Sequence, residues 1–112
     1  MKLMTQEIRD RIPKLYETED TPLAEKVIHA KYFHPWGSYT WYATEFDGTD
    51  IFFGYVKGMH SEWGYFSLKE MEETVAMGCK VERDLWFDPI QAKECHELSH
   101  LFPVDEEEHE VC

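Results

Sequence analysis

The chain has 112 residues, 43% of them hydrophobic and 15% aromatic, and a net charge of −12. That length suits one domain with a core of its own, and the apolar content excludes a disordered chain. No run of 18 apolar residues is present, which excludes a membrane-spanning helix, and 11 Lys and Arg against 23 Asp and Glu leave few groups to neutralise phosphates.

Direct binding of DNA or RNA is therefore not expected, and an acidic surface attracts basic proteins instead. The charge is uneven. Residues 23–69 are close to balance, whereas residues 70–112 carry three Lys and Arg against thirteen Asp and Glu. The start, Met1 to Glu7, lacks the apolar stretch of a signal peptide, so the cytoplasm is the expected compartment. Cys79, Cys95 and Cys112 are odd in number and widely spaced, with no C-x-x-C pair, and read as reduced thiols.

Thr5 is placed to cap a short first helix with Ile8, Ile12 and Leu15 on one side, and Pro13 should end or bend it. Residues 17–22 form a polar, acidic loop. From Lys26 the β-formers Val27, Tyr32 and Phe33 begin, with a break at Pro35-Trp36-Gly37. Tyr39 to Val56 reads as a hairpin around Asp47-Gly48-Thr49-Asp50. A four-residue loop pairs Phe46 with Ile51, Thr44 with Phe53 and Tyr42 with Tyr55. The opposite face then carries Trp41 with Val56, Ala43 with Gly54 and Glu45 with Phe52. Both faces are largely apolar, so each should be covered.

Glu62 to Phe66 reads as another strand. Ser67-Leu68-Lys69-Glu70 is a capping box that should open a helix near 67–77, ended by Gly78. Lys80 to Phe87 reads as a further strand. Asp88-Pro89 should open a C-terminal helix near 89–102, with Cys95, Leu98 and Phe102 on one face and Pro103 as its stop. The expected fold is thus α+β: an antiparallel, mostly meander sheet of about five strands with three helices. Residues 1–104 would form a single domain, and residues 105–112 an acidic, mobile tail.

Within that last segment, His96-Glu97-Leu98-Ser99-His100 is an H-E-x-x-H motif. On a helix, its two histidines hold one zinc ion, and the glutamate acts on a zinc-bound water as general base. His96 and His100 would be the metal ligands and Glu97 the base of a zinc-dependent hydrolase. The context is poor. Only twelve residues follow His100, and the metzincin positions for Gly and His hold Pro103 and Glu106. His109, Glu106 or Cys112 would have to fold back as third ligand. An accidental match on an exposed helix face is the better reading, with no metal or cofactor.

His29, His34 and His60 have no partner at a diagnostic spacing and read as surface or satisfied core histidines. Glu45, amid Trp41 and Phe52, is a candidate for a carboxyl with a raised pKa, though a solvated strand glutamate is the plainer reading. Most of the seventeen aromatics belong to the core. A few, such as Trp36, Trp41 and Trp63, are candidates for a partner surface.

Several blocks occur together and in order: Met1 to Arg9, Pro13 with Leu15-Tyr16, Trp41 to Gly48, Phe53-Gly54, Gly64 to Leu68, and Glu82 to Phe87. Over residues 1–90 the chain resembles the uncharacterised bacterial family catalogued as domain of unknown function 2958. The resemblance implies a small protein of the kind encoded on plasmids, phages and other mobile elements, and it carries over no activity, cofactor or catalytic residue. H-E-x-x-H lies beyond the resembling region.

The expected function is non-enzymatic: a small acidic protein that binds and modulates a protein with a basic surface, in one version by mimicking a nucleic acid. A zinc-dependent hydrolase is the alternative, and a homodimer formed through the two-faced sheet a third possibility.

Overall fold

The structure is a computed structural model and describes residues 1–103. The Thr5 hydroxyl caps α1 (Gln6–Arg11) by accepting the Ile8 amide at 3.1 Å. Helix α1 buries Ile8, and Pro13 two residues past its end keeps it short. The strands follow in chain order: β1 (Val27–Ile28), β2 (Ala30–Phe33), β3 (Thr40–Phe46), β4 (Ile51–Lys57) and β5 (Glu62–Ser67). Then come α2 (Leu68–Glu73), β6 (Val75–Ala76), β7 (Cys79–Lys80), β8 (Glu82–Arg83) and β9 (Ile90–Gln91). Ser67 caps α2 by accepting the Glu70 amide, as the capping box predicts.

Five strands form one antiparallel sheet in the order β5-β4-β3-β2-β8, so the chain meanders from β2 to β5 and later returns to flank β2. The α+β class and the five-stranded antiparallel sheet agree with the sequence reading. Three elements do not. The helix expected over 67–77 ends at Glu73, and Gly78 is not its stop. Met77 and Gly78 both have positive φ, 55° and 77°, and make the two-residue turn between β6 and β7. Of the strand expected over Lys80–Phe87, only Glu82–Arg83 pairs with β2.

The C-terminal helix expected near 89–102 does not form. Ile90–Gln91 pairs with β1 instead, and Ala92–Glu94 and Ser99–Leu101 are 3-10 turns. Ala92, Cys95 and Leu98 are all buried, a spacing of three that fits the three-residue turn of a 3-10 coil as well as it fits an α-helix. The pairing with β1 favours the tighter path, because it fixes where the segment must start.

Apolar packing covers both sides of the sheet, as expected. On the first face, Ala30, Tyr32, Ala43, Phe46, Phe52 and Phe66 meet Leu3, Met4 and Ile8 from the N-terminal segment and Leu68 and Met71 from α2. The second face carries Tyr42 and Tyr55 beneath Ala92, Cys95 and Leu98. Fully burying one such aromatic contributes on the order of 2 kcal/mol, so both faces are part of the stable fold.

The hairpin of β3 and β4 has the expected four-residue loop. The Asp47 carboxylate accepts the amides of Thr49, Asp50 and Ile51 at 2.7–3.0 Å, which holds its carboxyl below the usual range despite some desolvation. Pairing from Trp41 to Ala43 also follows expectation, but a bulge falls at Thr44. Beyond it Glu45 pairs with Phe53 and Phe46 with Phe52. The extra residue reverses the alternation: Phe46 turns to the first face, 4.5 Å from the Phe52 ring centroid, and Glu45 to the second. The Thr44 hydroxyl stays tied to the strand by donating to the Phe53 carbonyl at 2.9 Å.

Candidate functional site

The second face is roofed differently at its two ends. At one end the segment 92–102 lies over Tyr42, Tyr55 and Trp63, and Trp63 meets the Phe102 ring at 6.4 Å. At the other end the loop that follows α1 crosses above Glu45, Phe53 and Tyr65. It leaves a cleft of about 400 Å³ between itself and β4–β5, walled by Tyr16, Pro22, Leu23, Phe53 and Tyr65, with Glu19 on its rim and Lys26 and Glu45 at its floor.

The floor is a closed hydrogen-bond network. Glu45 is 3% exposed and Lys26 6%. One Glu45 oxygen accepts the Tyr16 amide at 2.9 Å, and the other accepts the Thr18 hydroxyl and the Lys26 ammonium, the latter at 3.3 Å. The ammonium also donates to the Thr18 carbonyl at 2.5 Å and the Thr18 hydroxyl at 2.8 Å, which engages all three of its hydrogens. Burial pushes the Glu45 carboxyl up, but the bonds from Thr18, Tyr16 and Lys26 outweigh burial and hold it below its ordinary value. A raised value for Glu45 is therefore not what the structure has. The ammonium and the carboxylate thus face each other as an ion pair.

Tyr16 holds a left-handed backbone, φ 69°, which costs a non-glycine residue of order 1 kcal/mol or more. Its amide on Glu45 fixes that turn, so the ion pair at the floor shapes the wall. Outside, the Tyr16 and Tyr65 rings lie 6.5 Å apart, both exposed, and Phe53 meets Tyr65 edge to face at 5.3 Å. The Tyr16 side chain raises the Tyr65 phenol above its usual value. From Glu17 to Glu25 the bordering loop has four carboxylates and no Lys or Arg.

The H-E-x-x-H residues sit elsewhere, on turns in the roof of the opposite end. His96 and His100 are exposed. Glu97 points inward: its two oxygens accept the Lys31 ammonium at 2.7 Å and the Tyr42 hydroxyl. Desolvation raises its carboxyl, Lys31 and Tyr42 lower it more, and the result lies below the usual range. Lys31 also meets Asp84 at 3.5 Å. Among the described residues no group of three His, Cys, Asp or Glu is arranged to hold a metal ion. His109, Glu106 and Cys112, the third ligands considered from sequence, lie outside the described residues, as does the expected tail at 105–112.

His34 is buried and satisfied. Its Nδ1 accepts the Trp36 amide at 3.2 Å, and its Nε2 faces the Cys79 carbonyl at 3.0 Å, which requires the proton on Nε2. Of the three tryptophans expected at a partner surface, only Trp36 is exposed, at 67%. Trp41 packs on the first core and Trp63 on the second. The most exposed aromatic is Trp86, at 93%, held on a turn where Asp84 accepts its amide at 2.9 Å. Strand alternation could not have found it, since Lys80–Phe87 reads as strand and the turn at Asp84 breaks that reading.

A family model described as "Protein of unknown function (DUF2958)" matches residues 3–100. The match extends past residue 90, where the resemblance in the sequence ended, and takes in the H-E-x-x-H residues. No curated protein and no solved structure matches the chain.

Proposed function

The chain belongs to the DUF2958 family, and we propose that this member is a non-enzymatic module that holds a protein with a basic surface, taking one cationic side chain of that partner into the cleft above Glu45. The observation that carries this reading is the lining of the cleft. Its walls are the rings of Tyr16, Phe53 and Tyr65, its rim and bordering loop are acidic, and Lys26, the one cation in its lining among the described residues, is already paired with Glu45. Aromatic faces beside carboxylates favour a guanidinium or ammonium group. The net charge of −12 draws a basic partner towards the surface at long range. Trp86, exposed between Asp84 and Asp88, is the residue type that anchors interfaces.

Titration of the chain at low salt with an arginine-containing basic peptide tests the reading. Binding should shift the amide resonances of Tyr16 and Tyr65, weaken as salt is raised, and be lost in Tyr65→Ala while the melting temperature holds. No binding at low salt would sink it. If the partner is a nucleic-acid-binding protein, double-stranded DNA should displace the chain from it, as expected of a nucleic-acid mimic.

The zinc-dependent hydrolase is supported by no comparable observation, because Glu97, its general base, is held by Lys31 and Tyr42. Metal content of the untagged protein and of His96→Ala provides the check. Near-stoichiometric zinc that disappears in the variant would favour the hydrolase over the binding module.

A further inference from the structure

We propose that β5 is an acceptor strand: an extended basic segment of the partner adds to its outer edge as a sixth strand and so delivers its cationic side chain to the cleft. The proposal rests on the function inferred above and adds how the partner is held.

The two edges of the sheet differ in kind. At one, β8 is two residues long, and its attachment to β2 ends with the Asp84 amide donating to the Lys31 carbonyl at 2.9 Å. Short edges of this sort resist pairing. At the other, β5 pairs with β4 along all six residues, from Ser67 opposite Ile51 to Glu62 opposite Val56. Among the described residues no strand pairs with its outer side. That edge has none of the usual protections: no proline, no lysine, no bulge in its pairing, and Glu62 as its one charged residue. At its centre, a β-carbon on Gly64 would meet nothing within 4 Å, so the sheet face beside the edge is uncovered there among the described residues.

The register links this edge to the cleft. Tyr65 lies opposite Phe53, on the face that carries Glu45. A residue of an added strand directly opposite Tyr65 places its β-carbon about 5 Å away on that same face, at the mouth of the cleft. Main-chain hydrogen bonds would supply affinity and the cleft side-chain selectivity, the usual division in strand addition. Charge decides the occupant. A second copy of this chain brings another −12, whereas a basic segment complements the four carboxylates of residues 17–25.

The probe is a hexapeptide of alternating arginine and valine, compared with the same sequence N-methylated at alternate backbone nitrogens, which keeps the charge and blocks strand pairing. The unmodified peptide should bind at low salt and slow amide exchange at alternate positions of Glu62–Ser67. Methylation should weaken binding about tenfold or more, because each lost main-chain bond is worth up to that factor. Equal binding of both peptides, with shifts confined to Tyr16 and Tyr65, would overturn strand addition and leave the cleft reading standing. Binding of neither would overturn both. Self-association with β5 amides protected in the absence of peptide would make the occupant a second copy and overturn the proposal.

Discussion

The second face of the sheet carries two lysine–carboxylate pairs, and their fates differ. Lys31 and Glu97 meet at 2.7 Å across 66 positions of sequence, under a roof of 3-10 turns, with Tyr42 and Asp84 completing the group. Lys26 and Glu45 meet at 3.3 Å beneath a cleft. The first pair fastens the C-terminal segment to the sheet, leaving its glutamate 37% exposed at the rim. The second is almost fully buried, 6% and 4% exposed, yet the loop after α1 that crosses it leaves a cleft between itself and the sheet. The same chemistry closes one end of the face and leaves a lined, acidic opening at the other. A paired charge is thus no mark of a site; what stands above the pair decides.

Lys26→Met should break the contrast most strongly. It strands Glu45 in the core and should cost about 3–5 kcal/mol in urea unfolding, most of it recovered in the double variant Lys26→Met/Glu45→Leu. A cost no larger than that of Lys31→Met would show the two pairs to be equivalent. At the roofed end, Tyr42→Phe removes one bond to a carboxylate but leaves Lys31 in place. We expect a loss of about 1 kcal/mol and faster amide exchange at Leu98, with the cleft unaffected.

The pH dependence separates the ends further. Both carboxyls are held below their ordinary value of 4.5, so their stabilisation is complete above that pH and is lost as pH falls through the folded values. Glu45→Gln should flatten the acid limb of stability against pH more than Glu97→Gln does, since Glu97 is the more exposed and more screened of the two. The reverse order would place the stronger pair under the roof. Least disruptive to the fold is Trp86→Ala. It should leave stability within about 0.5 kcal/mol while lowering affinity for a basic partner tenfold or more, measured by titration.

Local chemistry was readable where it acts over a few residues. Thr5 and Ser67 cap the helices that their sequences announce, and Asp47 anchors the four-residue loop. The apolar content of both strand faces pointed correctly to a sheet covered on both sides. Sequence missed the cleft because its parts come from residues 16–26, 45, 53 and 65, and nothing local couples them. Glu45 was noticed, but strict alternation put it on the wrong face, and the bulge at Thr44 has no glycine or proline to betray it. The motif at 96–100 is set aside in sequence for its poor context, and its spacing has meaning on an α-helix, which this segment is not.

Composition, caps, turn residues and hydrophobic pattern determined the class of fold, the sheet's strands from β2 to β5 and the need for two cores, because these depend on local propensity and on burial summed along each strand. Tertiary structure alone decided that residues 92–102 run as turns on the sheet, that β8 closes one edge while no described strand pairs with the outer side of β5, and that Glu45 meets Lys26 beneath a cleft. Those outcomes depend on pairings between distant segments, where a one-residue bulge or a two-residue strand contact outweighs the periodicity of the chain that carries it.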